Sequence, residues 1–110
     1  MNLEEIKNKL EKEKEELVLI LKSYEKESEE ILKEPVFASD ELADRYEYKE
    51  EMHLKKEILE DRLKKIEKAL KKIEENNYGI CEKCGQAIED MRLKIDPATD
   101  LCRSCAISQR

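Results

Sequence analysis

The stretch Ile80-Cys81-Glu82-Lys83-Cys84-Gly85, answered by Leu101-Cys102-Arg103-Ser104-Cys105, decides how the end of this 110-residue chain folds. Two Cys-x-x-Cys pairs stand seventeen residues apart. Two intervening residues let a tight turn aim both thiolates of a pair at one ion, and Gly85 supplies the backbone freedom such a turn demands. Four thiolates in a closed set suit zinc, which makes Cys81, Cys84, Cys102 and Cys105 the candidate metal ligands. Two disulfides or a redox-active dithiol are the alternative uses of such pairs.

Working outward, Asn76-Asn77-Tyr78-Gly79 reads as the end of a helix that delivers the chain into the first pair. That helix is expected from about Asp40 to Asn76, capped by Ser39 or Asp40. Its later half carries a clean apolar seam of Leu59, Leu63, Ile66, Leu70 and Ile73, whereas Tyr46, Met52 and Leu54 lie scattered among charges in the earlier half. Pro35 and the residues up to Ser39, Phe37 among them, form a short connection. Before it, Leu3, Leu10, Leu17, Tyr24 and Ile31 recur every seventh residue, with Ile6 and Ile20 at the alternate seam position, so Leu3 to about Lys33 reads as a helix roughly 45 Å long. Glu13 and Glu27 interrupt that alternate position.

Two long helices joined by so short a link are antiparallel neighbours. The expected fold class is therefore mainly α: residues 1–77 form an antiparallel coiled-coil hairpin with its tip near 34–46, and residues 78–110 form a four-cysteine zinc module at its base. Within the module, Ala87-Ile88 and Arg92-Leu93-Lys94-Ile95 are expected to pair as a small β-hairpin ended by Pro97. The second cysteine pair is expected to open a short helix through Ile107.

Composition agrees with this division. Charged residues make up 45% and aromatics 5%, with two glycines and two prolines, as in long Glu/Lys/Leu-rich helices. The module alone is too small for a self-sufficient core, so a metal should supply much of its folding free energy. The start, Met1-Asn2-Leu3-Glu4-Glu5, lacks the pattern of an export signal, and the longest apolar run, Leu17 to Leu21, is far too short for a bilayer. Paired cysteines without an export signal suggest a reducing cytoplasm.

The net charge of −6 is uneven. Residues 34–51 carry seven acids against Arg45 and Lys49, while residues 78–110 balance at zero. A nucleic-acid binder should offer phosphates a basic face, and the zinc module does not. Lys55, Lys56, Lys64, Lys65, Lys68, Lys71 and Lys72 are interleaved with acids, which suits a solvated helix face. The acids Asp40, Glu41 and Asp44 suit either a probe entering a basic or metal-containing cavity or simple helix-start electrostatics. His53, the lone histidine, falls in mid-helix and reads as a surface or seam residue. There is no Ser/His/Asp set, phosphate-binding glycine loop or positioned acid–base pair, so an enzyme is not expected.

Tyr78-Gly79-Ile80-Cys81-Glu82-Lys83-Cys84-Gly85, with Arg92-Leu93, Pro97 and Leu101-Cys102-x-x-Cys105, resembles the zinc module of the DksA/TraR family of bacterial RNA polymerase-binding proteins. Lys64-Lys65-Ile66-Glu67-Lys68-Ala69-Leu70 is similar to the segment that precedes it. The resemblance implies a monomeric regulator that inserts its hairpin into the polymerase secondary channel without reading a DNA sequence. It places the polymerase-facing tip at Asp40, Glu41, Ala43 and Asp44. The family's tip motif, Asp-x-x-Asp-x-Ala, fits in two registers. In one, Glu41 and Ala43 match while Ala38 replaces the first Asp; in the other, Glu41 and Asp44 are the acids and Tyr46 replaces Ala. Some members bind ppGpp through basic groups; Lys65 matches one such position, but Asp96 and Ala106 stand where Arg and Lys often occur, so potentiation by ppGpp should be weak or absent. A zinc-stabilised scaffold for another protein, or direct nucleic-acid binding, are the competing functions.

Overall fold

A computed structural model of the chain describes residues 2–33, 35 and 39–108. Four helices follow in order: α1 (Leu3–Lys33), α2 (Ser39–Glu74), α3 (Asp90–Ile95) and α4 (Arg103–Ser108). Among the described residues there is no β-strand, only an isolated antiparallel bridge between Ile80 and Ala87. The connecting residues Glu34, Val36, Phe37 and Ala38 lie outside the described residues. So does the Ala38 position of the tip motif.

Asn2 starts α1 by turning its side-chain oxygen onto the free amides of Glu4 (3.0 Å) and Glu5 (3.3 Å). The carboxylates of those two residues then sit in the first turn, where the helix dipole favours negative charge. α2 opens at Ser39, so Ser39 and Asp40 lie inside its first turn rather than before it. Its end is closed by Asn76, which takes a left-handed φ of 61°. The Asn77 amide reaches back to the Lys72 carbonyl (3.0 Å) and the Asn76 amide to that of Ile73 (3.3 Å), a paired closure that satisfies carbonyls the helix cannot.

The chain divides into two compact units. The first joins Met1–Lys14 and Lys64–Arg110, so the start of α1 lies with the end of α2 and the cysteine module. Its core contains Leu10 and Ile66, both fully buried, and the buried Ala69. Complete burial of such side chains stabilises by about 1.5–3 kcal/mol each. A second cluster, Cys81, Ile88, Leu93 and Cys102, is covered by Tyr78, Leu101 and Cys105.

The second unit, Glu15–Leu63, joins the end of α1 to the start of α2. The pairing of opposite helix ends in both units makes α1 and α2 antiparallel. Among described residues this unit buries only Leu17 and Met52. Tyr24 and Ile31 are half-buried, and Ile20 is 40% exposed, so the alternate seam position is not filled there. Ser28 Oγ and Tyr48 Oη are shielded from solvent without a hydrogen-bond partner. An orphaned group of this kind costs about 1–3 kcal/mol. The poor seam expected in the first half of α2 shows in Leu42, Tyr46 and Leu54, which are 43%, 65% and 56% exposed.

Arg92-Leu93-Lys94-Ile95 is helical, not half of a hairpin. Alternation would put Leu93 and Ile95 on one face; instead Leu93 is 1% exposed and Ile95 80%. A helix separates residues two apart by roughly 200°, which lets the module bury Leu93 alone. The amide of Leu93 bonds the Glu89 carbonyl (3.2 Å) and that of Asp96 the Arg92 carbonyl (2.8 Å), after which Pro97 cannot continue the helix.

Candidate metal centre

The first cysteine pair sits in a short backbone loop. The Cys81 amide donates to the Gln86 carbonyl (2.8 Å), the Gly85 amide to the Cys81 carbonyl (2.9 Å), and the Ile88 amide to the Gly79 carbonyl (2.7 Å). Both flanking glycines adopt positive φ, 84° at Gly79 and 76° at Gly85. A side chain at Gly79 would also meet Leu93 Cδ1 at 3.4 Å. The second pair lies where Leu101 leads into α4, with Cys102 just ahead of the helix and Cys105 within its first turn. The Glu82 amide bonds the Asp100 carbonyl (2.9 Å), which ties the two loops together.

This brings the sulfur atoms of Cys81, Cys84, Cys102 and Cys105 within 4.8 Å of one another. All four are free thiols, and Cys84 Sγ lies 3.7 Å from Cys102 Sγ. A tetrahedral zinc with bonds of ~2.3 Å places its sulfurs about 3.8 Å apart, so the donor set fits that ion in number, softness and spacing. Disulfides would require sulfurs at ~2.05 Å, and the cluster holds none.

The cluster is prepared to lose protons unevenly. Amides of Cys102, Cys84 and Lys83 point at the Cys81 sulfur and lower its pKa to about 6. Cys105 is pushed up to about 12, because its thiol proton is held by the neighbouring Cys102 sulfur and the site is desolvated. One thiolate is thus ready at neutral pH, while further ionisation needs a cation to offset the crowded negative charge.

Around the sulfurs, the module is braced to α2 by charge. Lys68 and Lys72, one turn apart, both engage the Glu82 carboxylate, Lys72 at 3.0 Å. Lys68 also lies 3.9 Å from Asp100. Hydrogen bonding by Lys68 and Lys72 holds the Glu82 carboxyl below its usual range. Tyr78 donates its hydroxyl to the Pro97 carbonyl (2.7 Å), and burial followed by the nearby Asp96 charge pushes that phenol up to about 12. Arg92 donates to the Leu101 carbonyl (3.2 Å), and Glu89 receives the Arg103 amide (3.1 Å). These braces escaped the sequence reading, since they join residues nine to thirty-two positions apart with no periodic signature; only the Lys68/Lys72 spacing hinted at a shared face.

Other candidates fall as follows. Asp40, Glu41, Ala43 and Asp44 are exposed on the opening turns of α2, in the second unit. His53 is exposed. Lys65 borders a small cleft with Lys68, Lys72 and Thr99. Asp96 accepts the Ala98 amide (3.1 Å) and shapes the turn after α3, while Ala106 lies in α4, its amide on the Cys102 carbonyl.

Fold and site together define a helical protein, two long antiparallel helices carrying a C-terminal four-cysteine centre of the zinc-finger type. Residues 76–109 match the prokaryotic dksA/traR C4-type zinc finger. The RNA polymerase-binding transcription factor DksA of Escherichia coli K12 is 51% identical over 43 residues, covering 39% of this chain and 28% of that protein. An uncharacterised protein of Aquifex aeolicus is 50% identical over 44 residues, or 40% of this chain and 30% of that one. The match to these relatives thus spans less than a third of their length. The structure of transcription factor DksA2 from Pseudomonas aeruginosa superimposes with a TM-score of 0.83 at 25% identity, over 96% of this chain and 81% of that one. In its zinc finger and its fold the chain is thus similar to proteins of the DksA/TraR family. Among the described residues no helix is long and apolar enough to cross a membrane.

Proposed function

We propose that this chain is a non-enzymatic transcription regulator that binds RNA polymerase in the cytoplasm as a monomer and acts through the polymerase secondary channel. The observation that carries this reading is the fold likeness to DksA2 over 96% of the chain, joined to the zinc-finger identity with a polymerase-binding factor. One zinc ion, held by Cys81, Cys84, Cys102 and Cys105, would supply structural cross-linking, not chemistry. Glu41 and Asp44, exposed near the start of α2, would meet a basic or metal-containing surface in the channel. The acidic tip residues Asp40, Glu41, Ala43 and Asp44 fit that role, and no sequence-specific DNA contact is needed. Dependence on ppGpp is weak in this reading. Lys65 supplies one cation, but Asp96 is committed to its own turn and adds charge of the wrong sign.

Capture by core RNA polymerase, with displacement by a known secondary-channel factor, tests the proposal. Binding that the competitor removes supports the channel. Binding that it leaves untouched indicates a scaffold docking elsewhere, and a steeply salt-dependent affinity for free DNA indicates a nucleic-acid binder.

A further inference from the structure

The second unit contains a groove of about 550 Å³ that the polymerase reading leaves unused. Its lining comes from one α1 residue, Ser28, and from α2 between Tyr46 and Lys56. Tyr46, Lys49 and His53 stand at positions 0, 3 and 7 along α2, and so share one helical face beside the seam. Met52 and Tyr48 lie deeper, and Ser28 Oγ and Tyr48 Oη are the two solvent-shielded hydroxyls without a partner. The charged lining is Lys49 and Lys56 against Glu50, an excess of one cation before His53 is counted.

These features combine two tyrosine side chains, the buried Met52 thioether and a cationic edge in one groove. A pocket of this size with an apolar lining and a few convergent polar groups suits a small ligand. Tyrosine faces favour a planar ring, and the excess of cations favours an anion. We infer that the groove between Ser28 and the Tyr46–Lys56 segment of α2 is a binding site for a small planar aromatic anion. The site is independent of the polymerase reading, since it can be occupied in the free chain.

The test is a fluorescence titration of the full zinc-loaded chain with 1-anilinonaphthalene-8-sulfonate, an aryl sulfonate of this class. The inference expects saturable binding at one site per chain. Tyr46→Ala and Lys49→Glu, both at exposed positions, should each weaken it by about fivefold or more. The uncharged N-phenyl-1-naphthylamine should bind more weakly and be indifferent to Lys49→Glu. Leu54→Ser and Ile58→Ser provide the contrast, because these apolar residues are 56% and 69% exposed and do not line the groove. Binding that falls with Leu54→Ser or Ile58→Ser but survives Tyr46→Ala is adhesion to a surface patch and overturns the inference. No saturable binding, or equal binding by the charged and neutral dyes, also overturns it.

Discussion

Single residues fix the metal centre and its pH response. Zinc bound by four thiolates contributes on the order of 10 kcal/mol to a module whose other buried side chains are Ile88, Leu93 and Ala98, too few to compensate for a lost ligand. Cys102→Ser should therefore abolish stoichiometric zinc, measured by elemental analysis, and remove the near-ultraviolet signal of Tyr78 while most far-ultraviolet helicity persists. Gly79→Ala should destabilise the same module, because its φ of 84° is unfavourable to a side chain and Leu93 crowds the space. Tyr78 gives the alkaline limb. Its folded pKa of about 12 lies above the usual 10, so the folded chain holds that proton more tightly than the unfolded chain does. The stability so gained is complete below about pH 10 and is lost as pH rises toward 12. Tyr78→Phe should cost about 0.5–1.5 kcal/mol at neutral pH through the lost bond to Pro97, yet flatten the fall between pH 10 and 12 in thermal melts.

At the scale of elements, α2 and the module are joined by one carboxylate and two lysines of unequal burial. The Lys72 side chain is 17% exposed and that of Lys68 52%. Exposed pairs are worth at most about 1 kcal/mol, so Lys68→Ala should be nearly silent in chemical denaturation. Lys72→Ala should cost distinctly more, and the difference should shrink as pH falls and Glu82, held ionised by both lysines, takes up its proton. Equal costs for the two substitutions would contradict this ranking. The long helices were legible because a seven-residue repeat such as Leu3, Leu10, Leu17 has one physical reading over thirty residues. The clustering of the four cysteines was legible because metal geometry dictates such a spacing. α3 was not, since six residues are too few for a helical period to separate from the alternation of Leu93 and Ile95. The rest of the shortfall lies in the seam: Ile20 occupies an apolar heptad position but stays 40% exposed, whereas Met52, scattered among charges, is buried. Which side chain closes a gap depends on the opposite helix, which a local pattern does not contain.

For the whole molecule, the account separates what builds the protein from what it does. Leu10, Ile66 and the cysteines hold the first unit together, while Glu41 and Asp44 are exposed in the second. Removing an exposed helix-start carboxylate typically costs a few tenths to about 1 kcal/mol, too little to unfold the chain. In the confined polar channel proposed above, the same charges would act on a partner with far less screening. The deciding measurement is promoter transcription by RNA polymerase with the Glu41→Ala/Asp44→Ala protein, on a preparation shown to keep its zinc, helicity and competitive polymerase binding. The account predicts that binding persists while the effect on transcription is strongly reduced. Regulation equal to that of the parent would contradict it, and would leave these acids as no more than helix-start electrostatics.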